Sequence, residues 1–295
     1  MARHEVKNRI SEETMPRVPT DCYQSDRQKM SWQYWYLFPT AIAVCILATA
    51  SGFSGSVLFQ PVFYFILKVP LAQSIATGIA TETIGMTNGA ITYSMMRDEK
   101  TSIDRKALRS VAPFVIAGVV AGIIFFVYAP RPLLRFTVGV VIAAIAIYQI
   151  YLAGENKLGN MPATDLKVLA KPYNRIYQFM AGAFSASTGT GVAEMHQPLF
   201  EERGGLATLK ANATAICIEA IADCTITLTN MKLGNLRYDI LVFTVAGVLV
   251  GGQIGPRIAK YIHPRITKII FGISVTAIGA IYIITSWPQV VKLFA

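Results

Sequence analysis

Charge is what this chain has least of. Asp, Glu, Lys and Arg make up 15% of its 295 residues and hydrophobic residues 53%, with a mean hydropathy of +0.46. Soluble globular domains carry about 25% charged residues, so an ordinary soluble fold is excluded. Histidine and cysteine are scarce too, with three and four residues. Cys22 in the polar tail and Cys45, Cys217 and Cys224 in apolar segments have neither metal-ligand spacing nor the pattern of an extracellular disulfide framework, and are expected to be small buried residues. The sequence has no phosphate-binding glycine loop, no metal-ligand cluster and no His beside a nucleophilic Ser or Cys. These gaps argue against an enzyme and against ATP-driven pumping by this chain. No cofactor and no metal is expected.

What the chain does have is a series of apolar windows of about 20 residues, enough to cross a hydrocarbon core as a helix, with a helical rather than alternating pattern. The expected fold class is an all-α polytopic membrane protein, with the lipid bilayer as its solvent. A net charge of +10 could suggest nucleic acid, but the Lys and Arg lie in short loops and tails, as topology signals do, so no nucleic-acid partner is expected. Residues 1–31 are polar, contain Pro16 and Pro19 and have no apolar run, so they read as a tail rather than a signal peptide. Trp32, Tyr34, Trp35 and Tyr36 form an aromatic cluster suited to the headgroup level, where a first span begins.

One stretch, 51–90, recurs at 188–227. A constant offset of 137 residues relates Gly52 to Gly189, Gln60-Pro61 to Gln197-Pro198, Phe63 to Phe200, Ala76-Thr77 to Ala213-Thr214 and Glu82 to Glu219. The matches fall on unusual residues and leave interchangeable apolar ones free, so a duplication is expected. The organisation read from this is a tail (1–31), a first transmembrane repeat (32–152), a linker (153–175) and a second repeat (176–295). Each repeat is expected to hold four spanning helices plus one broken or re-entrant segment. Glycines open that segment (Gly52 and Gly55; Gly189 and Gly191), and Gln60-Pro61 or Gln197-Pro198 are expected to stop it. The protein then has eight spans, or ten with inverted repeats if the broken segments cross. The basic loops 97–106 and 153–175 favour eight, with both termini in the cytoplasm of a bacterial inner membrane; the basic loop 257–268 is then the exception. The glycine pairs Gly118/Gly122 and Gly247/Gly251 mark close helix packing.

Glu82 and Glu219 lie deep in apolar helices, and an ionisable residue there marks an ion or substrate route more often than not. Asp223 follows Glu219 by one turn. Two carboxyls so close in a poorly solvated place are expected to titrate together, as a proton relay does. The bland alternatives are carboxyls satisfied by a neighbouring helix, or an Asp223 that reaches a base such as Lys232. Glu194 and His196 add a carboxyl and an imidazole to the second broken segment, where the first has Val57 and Phe59. Free N–H groups where helices break attract anions, and Gln60, Thr77, Asn88, His196, Gln197, Asn212 and Thr214 are candidate substrate-binding residues, with Lys210 and Arg97 at the margins. Back-bonding within the helix is the structural alternative for Thr77 and Thr214.

These segments resemble those of the TauE/SafE sulfite exporters. Each half of that family has a glycine-rich segment ending in Pro, a helix beginning Ala-Thr, a glycine-paired helix and a last helix after a Pro-containing turn. Here they are Gly52, Gly55 and Pro61, then Ala76-Thr77, Gly118 with Gly122, and Arg131-Pro132; the second half has Gly189, Gly191 and Pro198, Ala213-Thr214, Gly247 with Gly251, and His263-Pro264. The resemblance covers about residues 40–287. It implies export of a small sulfur-containing anion, sulfite or an organosulfonate such as sulfoacetate, with proton coupling. A membrane-anchoring or regulatory subunit without transport activity is the alternative from another class. A homodimer is compatible with either.

Overall fold

The computed structural model describes residues 32–96, 101–128, 131–154 and 164–294. The tail 1–31 with Cys22, the loop residue Arg97 and linker residues 155–163 lie outside the described residues. The chain divides into two compact units, Met1–Gln33 and Tyr34–Ala295; of the first, only Trp32 and Gln33 are described, and the account below is of the second.

All regular structure among the described residues is helical. The α-helices are α1 (Leu37–Ser51), α2 (Ser56–Pro61), α3 (Leu71–Met95), α4 (Arg105–Tyr128), α5 (Arg131–Gly154), α6 (Pro172–Thr188), α7 (Ala193–Pro198), α8 (Thr208–Lys232), α9 (Tyr238–Ala259) and α10 (Pro264–Phe294). Among the described residues, four helical runs are long and apolar enough to cross a membrane: Trp32–Ser51, which ends in α1, Arg105–Phe125 in α4, Thr208–Lys232 and Tyr238–Ala259. Shorter apolar runs lie at Ser56–Ile66, Phe136–Tyr148 and Gly272–Pro288.

The breaks fall earlier than the Gln-Pro pairs suggest. α1 and α6 end at Gly52 (φ 78°) and Gly189 (φ 71°), in the left-handed conformation that costs glycine little. Pro61 and Pro198 do not stop their helices. Each instead ends an α-helical turn that continues as a wider π turn, Val62–Ile66 and Leu199–Arg203, which accommodates the hydrogen bond a proline cannot donate.

Direction follows from which residues meet. Cys45 and Thr49 of α1 lie against Gly85 and Gly89 of α3, so α1 and α3 run parallel. Gly55 meets Glu82 while Phe59 and Gln60 meet Gly78, so α2 runs back against α3. Thr83 meets Thr227 and Tyr93 meets Asn212, so α3 and α8 are antiparallel. α5 and α10 are antiparallel as well, with Gly139 beside Ile283 and Gly272 beside Ile150.

The closest packings join residues distant in sequence. α9 lies along α1, and α4 along α6. A Cβ on Gly247 or Gly251 would press into the backbone of Phe38 or Ile42, and one on Gly118 or Gly122 into that of Phe179 or Ala183. Bare glycine is what allows this approach. Two further bonds have the same form: the Arg237 amide at the start of α9 donates to Thr77 Oγ1 (3.1 Å), and the Asp104 amide at the start of α4 donates to Thr214 Oγ1 (2.9 Å). The apolar core is built on the same interleaving, with Val111, Val115 and Val119 of α4 in one cluster with Ala186, Ala215 and Ile218.

Candidate functional site

The site forms where the two helix breaks meet the middles of α3 and α8. Glu82 projects from α3 onto the start of α2. Its Oε1 accepts from the Gly55 amide (2.6 Å), and its Oε2 from the Ser56 amide (3.0 Å) and Ser54 Oγ (2.6 Å). Glu219 does the same from α8 onto α7, its Oε2 accepting from the Ala193 amide (2.5 Å), with a further bond from the Val192 backbone. Both acids cap the opening turn of a broken helix, where peptide N–H groups lack helical partners. The donors that the sequence suggested were free for an anion are therefore held by the protein's own carboxyls.

The two caps are unequal. Ser54 and Ser56 supply the first with hydroxyls, while the matching positions of the second are Gly191 and Ala193. Glu219 Oε1 is buried without a hydrogen-bond partner. Asp223, one turn on, lies within hydrogen-bonding reach of Glu219, and its Oδ2 is likewise buried with no donor from another group. Glu82, Glu219 and Asp223 are 2%, 0% and 1% exposed, and a carboxyl oxygen from each lies within 4.8 Å of the others. Such an arrangement can hold protons or a cation. No basic side chain forms an ion pair with these three among the described residues, Lys232 included.

The breaks also clasp one another. Glu194 reaches out of α7 and accepts the Ser54 amide (3.1 Å). Gln60 Nε2 (2.6 Å) and Ser56 Oγ (2.8 Å) both donate to the Gly189 carbonyl. A Cβ on Gly189 would strike the Gln60 amide, and one on Gly191 would strike Ser54, so both positions need glycine.

Not every candidate comes here. Gln197 Nε2 donates to Glu201 Oε1 (3.2 Å), leaving its own Oε1 buried without a partner. His196 Nδ1 contacts the Val192 carbonyl (2.9 Å), its Nε2 is unpartnered, and its ring lies 5.9 Å from Phe200. The matching pair in the first broken segment, Phe59 and Phe63, has a 5.8 Å separation, so His196 stands where an aromatic core residue stands in the first half. Thr77 and Thr214 bind the starts of α9 and α4, and Thr214 also back-bonds to the Lys210 carbonyl (2.7 Å). Asn88 Nδ2 donates to the Leu249 carbonyl (2.6 Å), and Asn212 Nδ2 to the Ala50 carbonyl (3.1 Å). Lys210 pairs with Asp104 (3.5 Å). Those four polar residues hold helices together in this conformation. Sequence reasoning missed Ser54 and Ser56, whose only signal was their place beside Gly55.

The three acids line neither of two cavities in the structure. One of about 300 Å³ is lined by Tyr148, Tyr177, Leu199 and Arg203, and one of about 600 Å³ by Ile91, Met95, Cys217 and Cys224. The family model for the sulfite exporter TauE/SafE matches residues 37–282, which takes in every helix from α1 to the middle of α10. The chain belongs to the TauE/SafE family. It is thus a multi-pass membrane transporter of a family that exports sulfite and related anions. Comparison with curated proteins found no match, and comparison with solved structures found none either. In TauE/SafE terms, the paired breaks and the acids that cap them lie inside the matched region.

Proposed function

We propose that this chain is a secondary transporter that exports a small sulfur-containing anion, sulfite or an organosulfonate such as sulfoacetate, coupled to protons. One observation carries the reading. The donors best suited to an anion, the amides of Gly55, Ser56 and Ala193 and the Ser54 hydroxyl, are occupied by Glu82 and Glu219. A carboxylate is itself a small anion, and on these donors it stands where substrate would. Protonating it removes the charge that favours the bond. The donors are then open to the substrate anion, while the neutral acid is cheap to keep in low dielectric. Proton and anion thus bind together, and the moving assembly carries little net charge. Asp223 and Glu194 are the groups through which protons reach the caps, and Gln60, which bonds the Gly189 carbonyl between the two breaks, borders the substrate.

The proposal includes an ancestral duplication with inverted halves. The antiparallel courses of α3 against α8 and of α5 against α10 support it, as do the matched bonds of Thr77 and Thr214. Counting α2 and α7 as return segments gives ten passages. Loops 97–106, 153–175 and 257–268 then share one face, and the basic loop 257–268 is no longer an exception. The positive-inside rule puts that face in the cytoplasm of a bacterial inner membrane, with the start of α1 and the end of α10 outside.

Flux into proteoliposomes tests the function. Sulfite, thiosulfate and sulfoacetate are offered beside acetate and simple cations, with and without a pH gradient. Saturable, gradient-sensitive movement of a sulfur oxyanion is the expected result; a protein that moves none of them has another role.

A further inference from the structure

We propose that Glu82, Glu219 and Asp223 form a binding site for one hard, oxygen-seeking cation of sodium or calcium size. Three observations carry this. The first is placement: α3 supplies one carboxyl and successive turns of α8 supply two, each nearly or fully buried, with one oxygen apiece inside a 4.8 Å circle of mutual approach. The second is unmet demand. Glu82 has donors on both oxygens, but Glu219 Oε1 and Asp223 Oδ2 are buried with none. A buried polar atom left without a partner is costly, and one that carries negative charge more so. A single proton shared between Glu219 and Asp223 serves both oxygens but leaves two of the three buried carboxyls charged, with no basic side chain paired to them among the described residues. A cation at the centre satisfies both and also draws on Glu82.

The third observation is chemistry and size. The donor set is all carboxylate oxygen, which selects hard cations over the softer metals that seek imidazole or thiolate. Corners 4.8 Å apart or less have a common centre no farther than about 2.8 Å away, which admits the roughly 2.3 to 2.6 Å of calcium–oxygen contacts, and a dry all-protein cage disfavours magnesium because that ion gives up its waters reluctantly.

Among the described residues there is one such site. The residue of the first half that matches Asp223 is Met86, buried and apolar, so the first half lacks the third ligand. The cation therefore belongs to the chain's asymmetry rather than to its repeat. It shares acids with the proposed transport site, so cation and protons compete there. Its test is binding without flux, so failure of the cation site and failure of the transport reading are told apart.

The full chain in lipid nanodiscs is titrated with sodium, calcium or magnesium chloride, against choline chloride at matched ionic strength. Thermal midpoint and calorimetric heat are followed. Saturable stabilisation by sodium or calcium is expected, with the tighter of the two naming the ion, magnesium at least about tenfold weaker, and affinity falling as pH is lowered. Asp223→Asn, nearly isosteric, is expected to weaken binding by at least about tenfold. Asp223→Met, which copies Met86, gives the same result where the asparagine variant does not fold. Equal midpoints in all four salts overturn the proposal, as does an Asp223→Asn or Asp223→Met protein that binds the cation as tightly as the parent.

Discussion

At the scale of the residue, the two membrane acids do different work although duplication would make them equivalent. Glu82 is saturated with donors, whereas Glu219 keeps one oxygen bare beside Asp223. Loss of charge at position 82 thus damages the fold first. Glu82→Gln sets an amide N–H₂ against N–H donors, and is expected to cost about 1–3 kcal/mol, read as a lower midpoint of thermal unfolding. Glu219→Gln is expected to leave a folded protein whose anion flux no longer responds to a pH gradient; flux that tracks the gradient as before would remove Glu219 from the coupling. Charge inside an apolar helix made both acids visible in the sequence. Nothing comparable marked Thr77, Thr214, Asn88 or Asn212, because the same side chain serves a ligand or a neighbouring helix, and only the neighbours decide which.

At the scale of the element, glycine sets both the breaks and the contacts. Gly118 and Gly122 admit the backbone of α6, as Gly247 and Gly251 admit that of α1. Gly122→Leu is expected to force α4 off α6 at a cost of about 1–3 kcal/mol or more, seen as a depressed melting temperature and low yield of monodisperse protein. The glycine pairs could be read in advance, since small residues four apart share a helix face. Their partners could not, and neither could the fate of Pro61 and Pro198. A proline forbids one hydrogen bond, but a π turn can absorb that loss, and the sequence does not say whether the chain breaks or widens.

At the scale of the whole molecule, the packed groups are not the sequence halves. α1 and α3 pack with α9, and α6 and α8 with α4, so each compact group takes a helix from the other half of the sequence. Movement during transport is expected between these interleaved groups, across the α3–α8 contact where Thr83 and Thr227 meet at 2.7 Å. In a background with the native cysteines replaced, Thr83→Cys with Thr227→Cys is expected to form a disulfide on oxidation, halting flux until dithiothreitol restores it. Undiminished flux in the oxidised protein would mean that this contact does not open. The inverted arrangement makes a further demand. Lys171→Cys and Lys260→Cys, both exposed, precede α6 and follow α9, so an impermeant maleimide is expected to label them from the same side of the membrane; labelling from opposite sides would favour eight spans.

The sequence alone determined the solvent, the helical class, the paired segments and the family, because composition, periodicity and a constant offset are properties of a string. It also picked out Glu82, Glu219 and Asp223, since an acid in an apolar run needs no neighbour to look out of place. Only the tertiary structure decided that these three acids meet, that two of them occupy the donors expected for an anion, and that the helices of the two halves interleave. Each of those facts is a distance between residues far apart in the chain, 26 to 28 positions for the bonds of the caps and 137 for Glu82 and Glu219, fixed by how glycine-faced helices pack rather than by any local pattern.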